Sequence, residues 1–153
     1  MRFLIQCVDE ASVQVDGNVT GAIEKGFLVL IGISDTDDTQ IADRMIKKML
    51  GLRIFEDENH KTNLSLSDVV LDIGGDILAV SQFTLYANCK KGNRPSFVRA
   101  GKPEHANQLY EYIIEQTRQS VSNVQTGIFG ADMKVSLVND GPFTIMLDSE
   151  ELF

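Results

Sequence analysis

The stretch Gly26-Phe27-Leu28-Val29-Leu30-Ile31-Gly32-Ile33 carries no polar side chain, so neither of its faces can be left to water. A run this short, bounded by Lys25 and Ser34, reads as a strand buried on both sides, because a bilayer-crossing helix needs roughly 20 apolar residues. Such a strand needs a layer above it and a layer below it. Residues 2 to 8 and 11 to 16 alternate and are rich in β-branched side chains, with Gly17-Asn18 as a turn, so the first third of the chain reads as sheet. Beyond the N-cap candidates Ser34-Asp35-Thr36-Asp37, the residues Ile41, Ala42, Met45, Ile46, Met49 and Leu50 recur at helical spacing, and Gly51 marks the stop. Arg53-Ile54-Phe55 runs into a polar turn at Glu56 to Lys61. Gly74-Gly75-Asp76 then introduces a strand from Ile77 to Leu85.

A second helix begins at Pro103 or Glu104, with Ala106, Leu109, Tyr110, Ile113 and Ile114 on one face. Strands follow around Val124 to Phe129, Met133 to Val138 and Phe143 to Leu147, the last two interrupted by Asn139-Asp140-Gly141-Pro142. Strands that outnumber two well-separated helices predict an α+β fold, a single domain over residues 1–153 built of strand-rich sheets or a barrel. Met1-Arg2-Phe3-Leu4-Ile5-Gln6 has no signal-peptide pattern, so the expectation is a soluble, cytoplasmic protein with no membrane partner.

The formal net charge of −8 argues against broad binding of nucleic acid, and DNA is not expected as a partner. The charge is uneven, however. From Asn88 to Pro103 the chain carries Lys90, Lys91, Arg94, Arg99 and Lys102 with no acidic residue, which fits either a solvated loop or one local contact with RNA. Cys7 and Cys89 stand far apart with no CxxC pattern, and His60 and His105 have no metal-ligand spacing to them, so neither a metal nor another cofactor is expected.

The usual esterase machinery is missing, since there is no GxSxG elbow, and His105 at a helix start reads as a surface or capping residue. Two segments stand out. Ser81-Gln82-Phe83-Thr84 puts polar groups in and beyond a buried strand, where they must either satisfy neighbouring backbone or face a cleft. Asn139-Asp140-Gly141-Pro142 is a turn signal followed at once by a new strand, and a Gly-Pro bond is among the few that adopt the cis form at modest cost.

SQFTL at Ser81 to Leu85 and NDGPFT at Asn139 to Thr144 resemble the paired signature motifs of the D-aminoacyl-tRNA deacylases. The similarity continues through Gln6, Ala11-Ser12-Val13, Arg53-Ile54-Phe55, Lys91 to Phe97, Gln125-Thr126-Gly127 and Ala131-Asp132-Met133. The resemblance implies a homodimer in which Gly141 and Pro142, joined by a cis bond, reach across the interface into the partner's site. It implies a pocket for the terminal adenosine and the aminoacyl group lined by Ser81, Gln82, Phe83, Thr84, Ala106, Phe129 and Met133. The substrate it implies is a D-aminoacyl-tRNA, with mischarged Gly-tRNA also cleaved and L-aminoacyl-tRNA rejected. One departure concerns Cys7: the family usually has Arg there to brace the Gly-Pro segment, and a thiol cannot replace a guanidinium fork.

Aminoacyl esters are already activated and have a ribose 2′-hydroxyl beside them, so positioning and charge stabilisation suffice in principle. Backbone N–H groups of Phe83 and Thr84 are the candidate oxyanion donors, and Thr84 as covalent nucleophile is the rival. Lys90, Lys91, Arg94, Arg99 and Lys102 are the candidate phosphate contacts near the acceptor end. The alternatives of other classes are a non-catalytic dimeric module binding nucleotides or RNA 3′ ends, and an interaction protein whose dimer is its purpose.

Overall fold

In a computed structural model, which describes residues 1–68 and 75–153 apart from the side chain of Pro142, the buried run forms the strand β3 (Gly26–Gly32). Strand β1 (Arg2–Val15) is long enough to serve two neighbours. Its first half pairs antiparallel with β3, from Arg2↔Gly32 to Val8↔Gly26, and its second half with β2 (Asn18–Ile23). On the far side of β3 lie two parallel strands, β6 (Asp76–Ser81) and then β7 (Val124–Thr126), while β8 (Met133–Asp148) pairs along β1. The result is a six-stranded, barrel-like mixed sheet, with a separate hairpin of β4 (Arg53–Glu56) and β5 (Thr62–Ser65).

Alternation along β3 explains its composition. Phe27, Val29 and Ile31 face a core shared with Phe3, Ile77 and the helices α1 (Thr39–Leu50) and α2 (Pro103–Arg118). Leu28 faces the opposite way, into a second core of Val8, Ala11, Val13, Ile23, Leu78 and Val80. Both faces are buried, hence the absence of polar residues. Gly26 is required by close approach, since a Cβ there would fall 2.0 Å from the Asp76 carbonyl oxygen across the parallel pair. This α+β architecture with two main helices agrees with the sequence expectation.

Several boundaries differ. The segments 2–8 and 11–16 are one strand, because β1 has partners along its whole length. The strand expected to run to Leu85 ends at Ser81. The Gln82 N–H makes the last bond to β3, at the Ile31 carbonyl (2.7 Å), and β3 itself stops at Gly32. With no further ladder to join, Phe83–Tyr86 closes into a 3-10 turn, Leu85 N–H donating to the Gln82 carbonyl. Conversely, Asn139 to Pro142 does not separate two strands. β8 continues along β1, and the register jumps from Val8↔Asn139 to Gln6↔Thr144, so residues 140 to 143 bulge out opposite Cys7. The strand expected over 124–129 is shorter, leaving Phe129 outside it. Gly74, expected as part of the turn ahead of β6, lies outside the described residues.

The N-cap of α1 is Asp38, whose Oδ1 accepts from Ile41 N–H at 2.9 Å, rather than any residue of Ser34 to Asp37. Asp37 has another task. Its Oδ2 accepts from Ser34 N–H (2.7 Å), and its Oδ1 lies 2.6 Å from the buried α-amino group of Met1, which also donates to Ser149 Oγ.

Three buried acidic side chains are kept neutral by the fold. Burial, followed by the nearby Asp140 carboxylate, pushes the Cys7 thiol up to about 11 from its ordinary 9.0. Burial likewise raises Tyr86, with Asp37 adding to it, and Tyr110, each to about 12 from 10.0. Ser34 lies near enough to Tyr86 to offset part of its shift, yet no well-formed hydrogen bond reaches the Tyr86 hydroxyl. All three folded values exceed the unfolded ones, so their contribution is complete below about pH 9 and is lost as the pH climbs towards 12. Denaturant midpoints measured from neutral pH to pH 11 are expected to fall steadily above pH 9; a flat profile would contradict this burial.

Candidate active site

Chain topology brings three segments to one end of β6. The turn after Ser81 is held by Arg2, whose Nη1 donates to the Leu85 carbonyl (2.8 Å) while its Nε bonds Asp148 (2.7 Å). The start of α2 is fixed from β3 outward. Gly101 N–H donates to the Ile33 carbonyl (2.8 Å), and Lys102 N–H to Asp35 Oδ1 (2.8 Å). The third segment, 127–133, folds tightly over β1, because a Cβ on Gly127 would lie 2.3 Å from Met133 Sδ. Phe129 is held there against Tyr110, with centroids 5.9 Å apart, and the Tyr110 hydroxyl donates to the Ala79 carbonyl at 2.8 Å.

Between these segments lies a cavity of about 680 Å³. Ser81, Gln82, Phe83, Ala106, Phe129 and Met133 all line it. Thr84 does not. Its hydroxyl is turned back to accept from the Gln82 side-chain amide, so the polar side chains of this motif partly satisfy one another. Since the turn's first bond is donated by Leu85, the N–H groups of Phe83 and Thr84 precede the bonded positions of the turn, as the first donors of a helix do.

Lining residues that sequence reasoning did not place in the site include Phe97, Asp132, Ala100, Gly101 and Pro103, while Lys102, a candidate phosphate contact, also lines it. Asp132 is the one carboxylate among them, and it is paired with Lys134 at 2.8 Å on the exposed rim. His105 is turned away, its Nε2 3.1 Å from the Asp37 carbonyl. Among the described residues lining this cavity there is neither a nucleophile–base pair nor a metal-ligand cluster. What the cavity offers is a shape and apolar and aromatic walls, with the turn that opens at Phe83 at its edge.

Gly141 lies elsewhere in the chain. It borders a second cavity of about 590 Å³ with Cys7, Lys25, Asp140 and Phe143. The bulge is tied at its base by Asn139, whose Nδ2 donates to the carbonyls of Cys7 (2.8 Å) and Phe143 (3.3 Å). Lys25 Nζ stands 4.0 Å from Asp140 beside it. Cys7, a protonated thiol at neutral pH, is a buried wall of this cavity and no nucleophile. Within one chain, then, Gly141 is not brought to the first cavity.

The basic segment is shaped by paired backbone bonds between Asn88 and Ser96 (2.7 and 3.0 Å). Lys90, Lys91, Arg94 and Lys102 make no ion pair among the described residues, and Lys102 stands at the cavity itself. Arg99 differs, for its Nη2 is held by both Glu150 oxygens at 2.6 and 2.9 Å.

A barrel-like mixed sheet with two main helices, and a cleft lined by the Ser81–Phe83 motif, the start of α2 and the 129–133 segment, define the class: an α+β protein with one concave, largely apolar site at the end of β6. Known proteins supply the particular family. The family described as D-Tyr-tRNA(Tyr) deacylase matches residues 4–148. The chain is 53% identical over 153 residues to the D-aminoacyl-tRNA deacylase of Koribacter versatilis (strain Ellin345), covering 100% of both. It is 56% identical over 149 residues to that of Geotalea uraniireducens (strain Rf4), covering 97% of this chain and 94% of the relative. Among solved structures, "c-Myc DNA Unwinding Element Binding Protein" superposes with a TM-score of 0.89 at 41% identity, over 97% of this chain and 98% of the other. A "probable eukaryotic D-amino acid tRNA deacylase" shares the fold at a TM-score of 0.82 and 20% identity, over 95% and 97%. The chain belongs to the D-Tyr-tRNA(Tyr) deacylase family, a family of hydrolases.

Proposed function

We propose that this enzyme cleaves the ester between a D-amino acid and the 3′-terminal adenosine of tRNA in the cytosol. The observation that carries the reading is the convergence of the Ser81–Phe83 motif, the first turn of α2 and the 129–133 segment on one cavity of about 680 Å³, in the size range of small-molecule sites. Terminal adenosine and the aminoacyl carbonyl occupy this cavity, with the adenine against the apolar walls of Phe83, Phe129 or Met133. Water adds to the ester carbonyl carbon, the carbonyl oxygen becomes an oxyanion, and the Phe83 and Thr84 N–H groups hold it. The C–O bond to the ribose then breaks. The ribose oxygen takes the proton that water gives up, with the neighbouring 2′-hydroxyl aiding the transfer, and D-amino acid and tRNA leave.

Chirality is read by two copies of the chain. Carbonyl oxygens of Gly141 and Pro142 from a second copy fix the substrate ammonium, so exchanging D for L drives the side chain into backbone. Placement of Gly141 away from the cavity of its own chain supports a contribution in trans, as do the exposed Val138 and Met146 on β8. A filter by clash also lets glycyl-tRNA through. Lys90, Lys91, Arg94 and Lys102 meet the phosphates of the acceptor end, whereas Arg99 is occupied by Glu150 and ranks behind them.

The test is release of tyrosine from D-Tyr-tRNA by purified protein and by Thr84→Val. Loss of the Gln82–Thr84 bond is expected to leave activity within about tenfold, because the hydroxyl is turned away from the cavity. Abolition of turnover with adenosine binding intact would make Thr84 the nucleophile. No release by either form, with adenosine still bound, would favour the non-catalytic module.

A further inference from the structure

Beside the cavity, two exposed side chains, Phe97 and Val98, have no task in the reading above. Val98 is 84% exposed and Phe83 57%, and Phe97 packs edge-on against Phe83 with centroids 5.1 Å apart and planes at 71°. An exposed Phe83–Phe97 pair with Val98 next to it in sequence offers apolar surface on which something can dock. Their surroundings say what. The loop just ahead, closed by the Asn88–Ser96 bonds, carries Lys90, Lys91 and Arg94, exposed and without an ion pair among the described residues. No acidic residue occurs from Asn88 to Pro103. Flat or apolar side chains flanked by unpaired cations are what a single-stranded nucleic acid requires, a face for a base and charge for its phosphate. The surface is continuous with the cavity, since Phe83 and Phe97 both line it.

We propose that Phe97 and Val98 form an outer shelf that receives the base next to the terminal adenosine of a single-stranded RNA 3′ end. This deepens the preceding reading and rests on its placement of the terminal adenosine. The terminal nucleoside enters between Ala106 and Phe129. The preceding base lies over the Phe97 face and against Val98, and its phosphate turns towards the Lys90–Arg94 loop. Substrate truncated to an aminoacyl-adenosine never reaches this shelf.

The experiment measures the affinity of the RNA trinucleotide CCA and of adenosine alone, for the wild type, Phe97→Ala and Val98→Asp. It also measures kcat/KM for D-Tyr-tRNA and for D-tyrosyl-adenosine. Losing one stacked base is expected to weaken trinucleotide binding and kcat/KM on tRNA by roughly 5- to 150-fold in Phe97→Ala. The two adenosine compounds are read on Val98→Asp, because Val98 does not line the cavity, and should be affected less than twofold there. Val98→Asp should weaken trinucleotide binding and turnover of tRNA with a shallower dependence on salt, since its carboxylate offsets one of the neighbouring cations, and it guards against any disturbance of Phe83 by the first variant. Equal losses on both substrates, no loss on tRNA, or altered self-association with tRNA turnover kept would each overturn the shelf. Trinucleotide binding that depends on Phe97, in a protein that releases no tyrosine, would keep the shelf and remove the hydrolysis.

Discussion

Phe83→Pro is expected to cost about 10²–10³ in kcat relative to Phe83→Ala while leaving the fold intact. Phe83 opens the 3-10 turn, a position that tolerates proline because its N–H has no partner within the turn. The preceding residue, Gln82 at φ −148°, ψ 81°, lies outside the helical region that proline disfavours in its neighbour, though its ψ falls short of the extended values proline favours there. Alanine at position 83 removes the ring and keeps the donor; proline removes both. The difference between them isolates the backbone N–H. Single-turnover rates with D-Tyr-tRNA decide the matter, and equal rates for the two variants would take Phe83 out of the oxyanion site.

Asp37→Ala should destabilise the protein by about 3–5 kcal/mol, the usual consequence of removing one partner of a buried ion pair. The Met1 and Asp37 side chains are 0% and 3% exposed and the contact between the ammonium and the carboxylate is buried, so water does not readily stand in for the lost carboxylate. The substitution also releases Ser34 N–H, whose partner is Asp37 Oδ2, at the point where the chain leaves β3 for α1. Damage should spread to the site, because the His105 ring at the start of α2 rests on the Asp37 carbonyl. Denaturant unfolding measures the loss, and a change below about 1 kcal/mol, the level of an exposed pair, would show that the ammonium is solvated after all.

Much of this architecture is legible in the chain because the physical signals are local. The unbroken apolar run of β3 can only be buried on both faces, and the helical spacing of Met45, Ile46 and Met49 or of Leu109, Ile113 and Ile114 leaves one amphipathic solution each. The errors occur where a local signal meets a longer-range one. Phe83 and Leu85 continue the alternation of β6, but β3 ends at Gly32 and a strand without a partner cannot go on. Asn139 to Pro142 has the composition of a turn, yet pairing with β1 on both sides, and Asn139 bridging the carbonyls of Cys7 and Phe143, turns it into a bulge within one strand. Four polar residues before α1 are equivalent caps in sequence; only the buried ammonium of Met1 reserves Asp37 and leaves the cap to Asp38.

Legibility of the site follows the same division. Ser81, Gln82, Phe83, Ala106, Phe129 and Met133 meet at one cavity, but the inward turn of the Thr84 hydroxyl depends on the Gln82 rotamer, which no spacing encodes. Arg99 looks like its basic neighbours and is tied to Glu150, a residue 51 positions away. Phe97 has one local signal, an aromatic residue inside a run of cations, and nothing in its spacing ties it to the Ser81–Phe83 motif that it packs against.

The most direct measurement is the release of tyrosine from D-Tyr-tRNA and L-Tyr-tRNA in parallel, by the wild type and by the Gly141→Ala, Pro142→Ala form. A Cβ at Gly141 meets nothing within 4 Å in its own chain, so the Gly141→Ala half of this change disturbs no packing within that chain. Rapid cleavage of the D-ester alone by the wild type, with the variant losing that preference, is the expected result. Cleavage of both esters by the wild type would contradict the chiral filter, and cleavage of neither would contradict the hydrolysis itself.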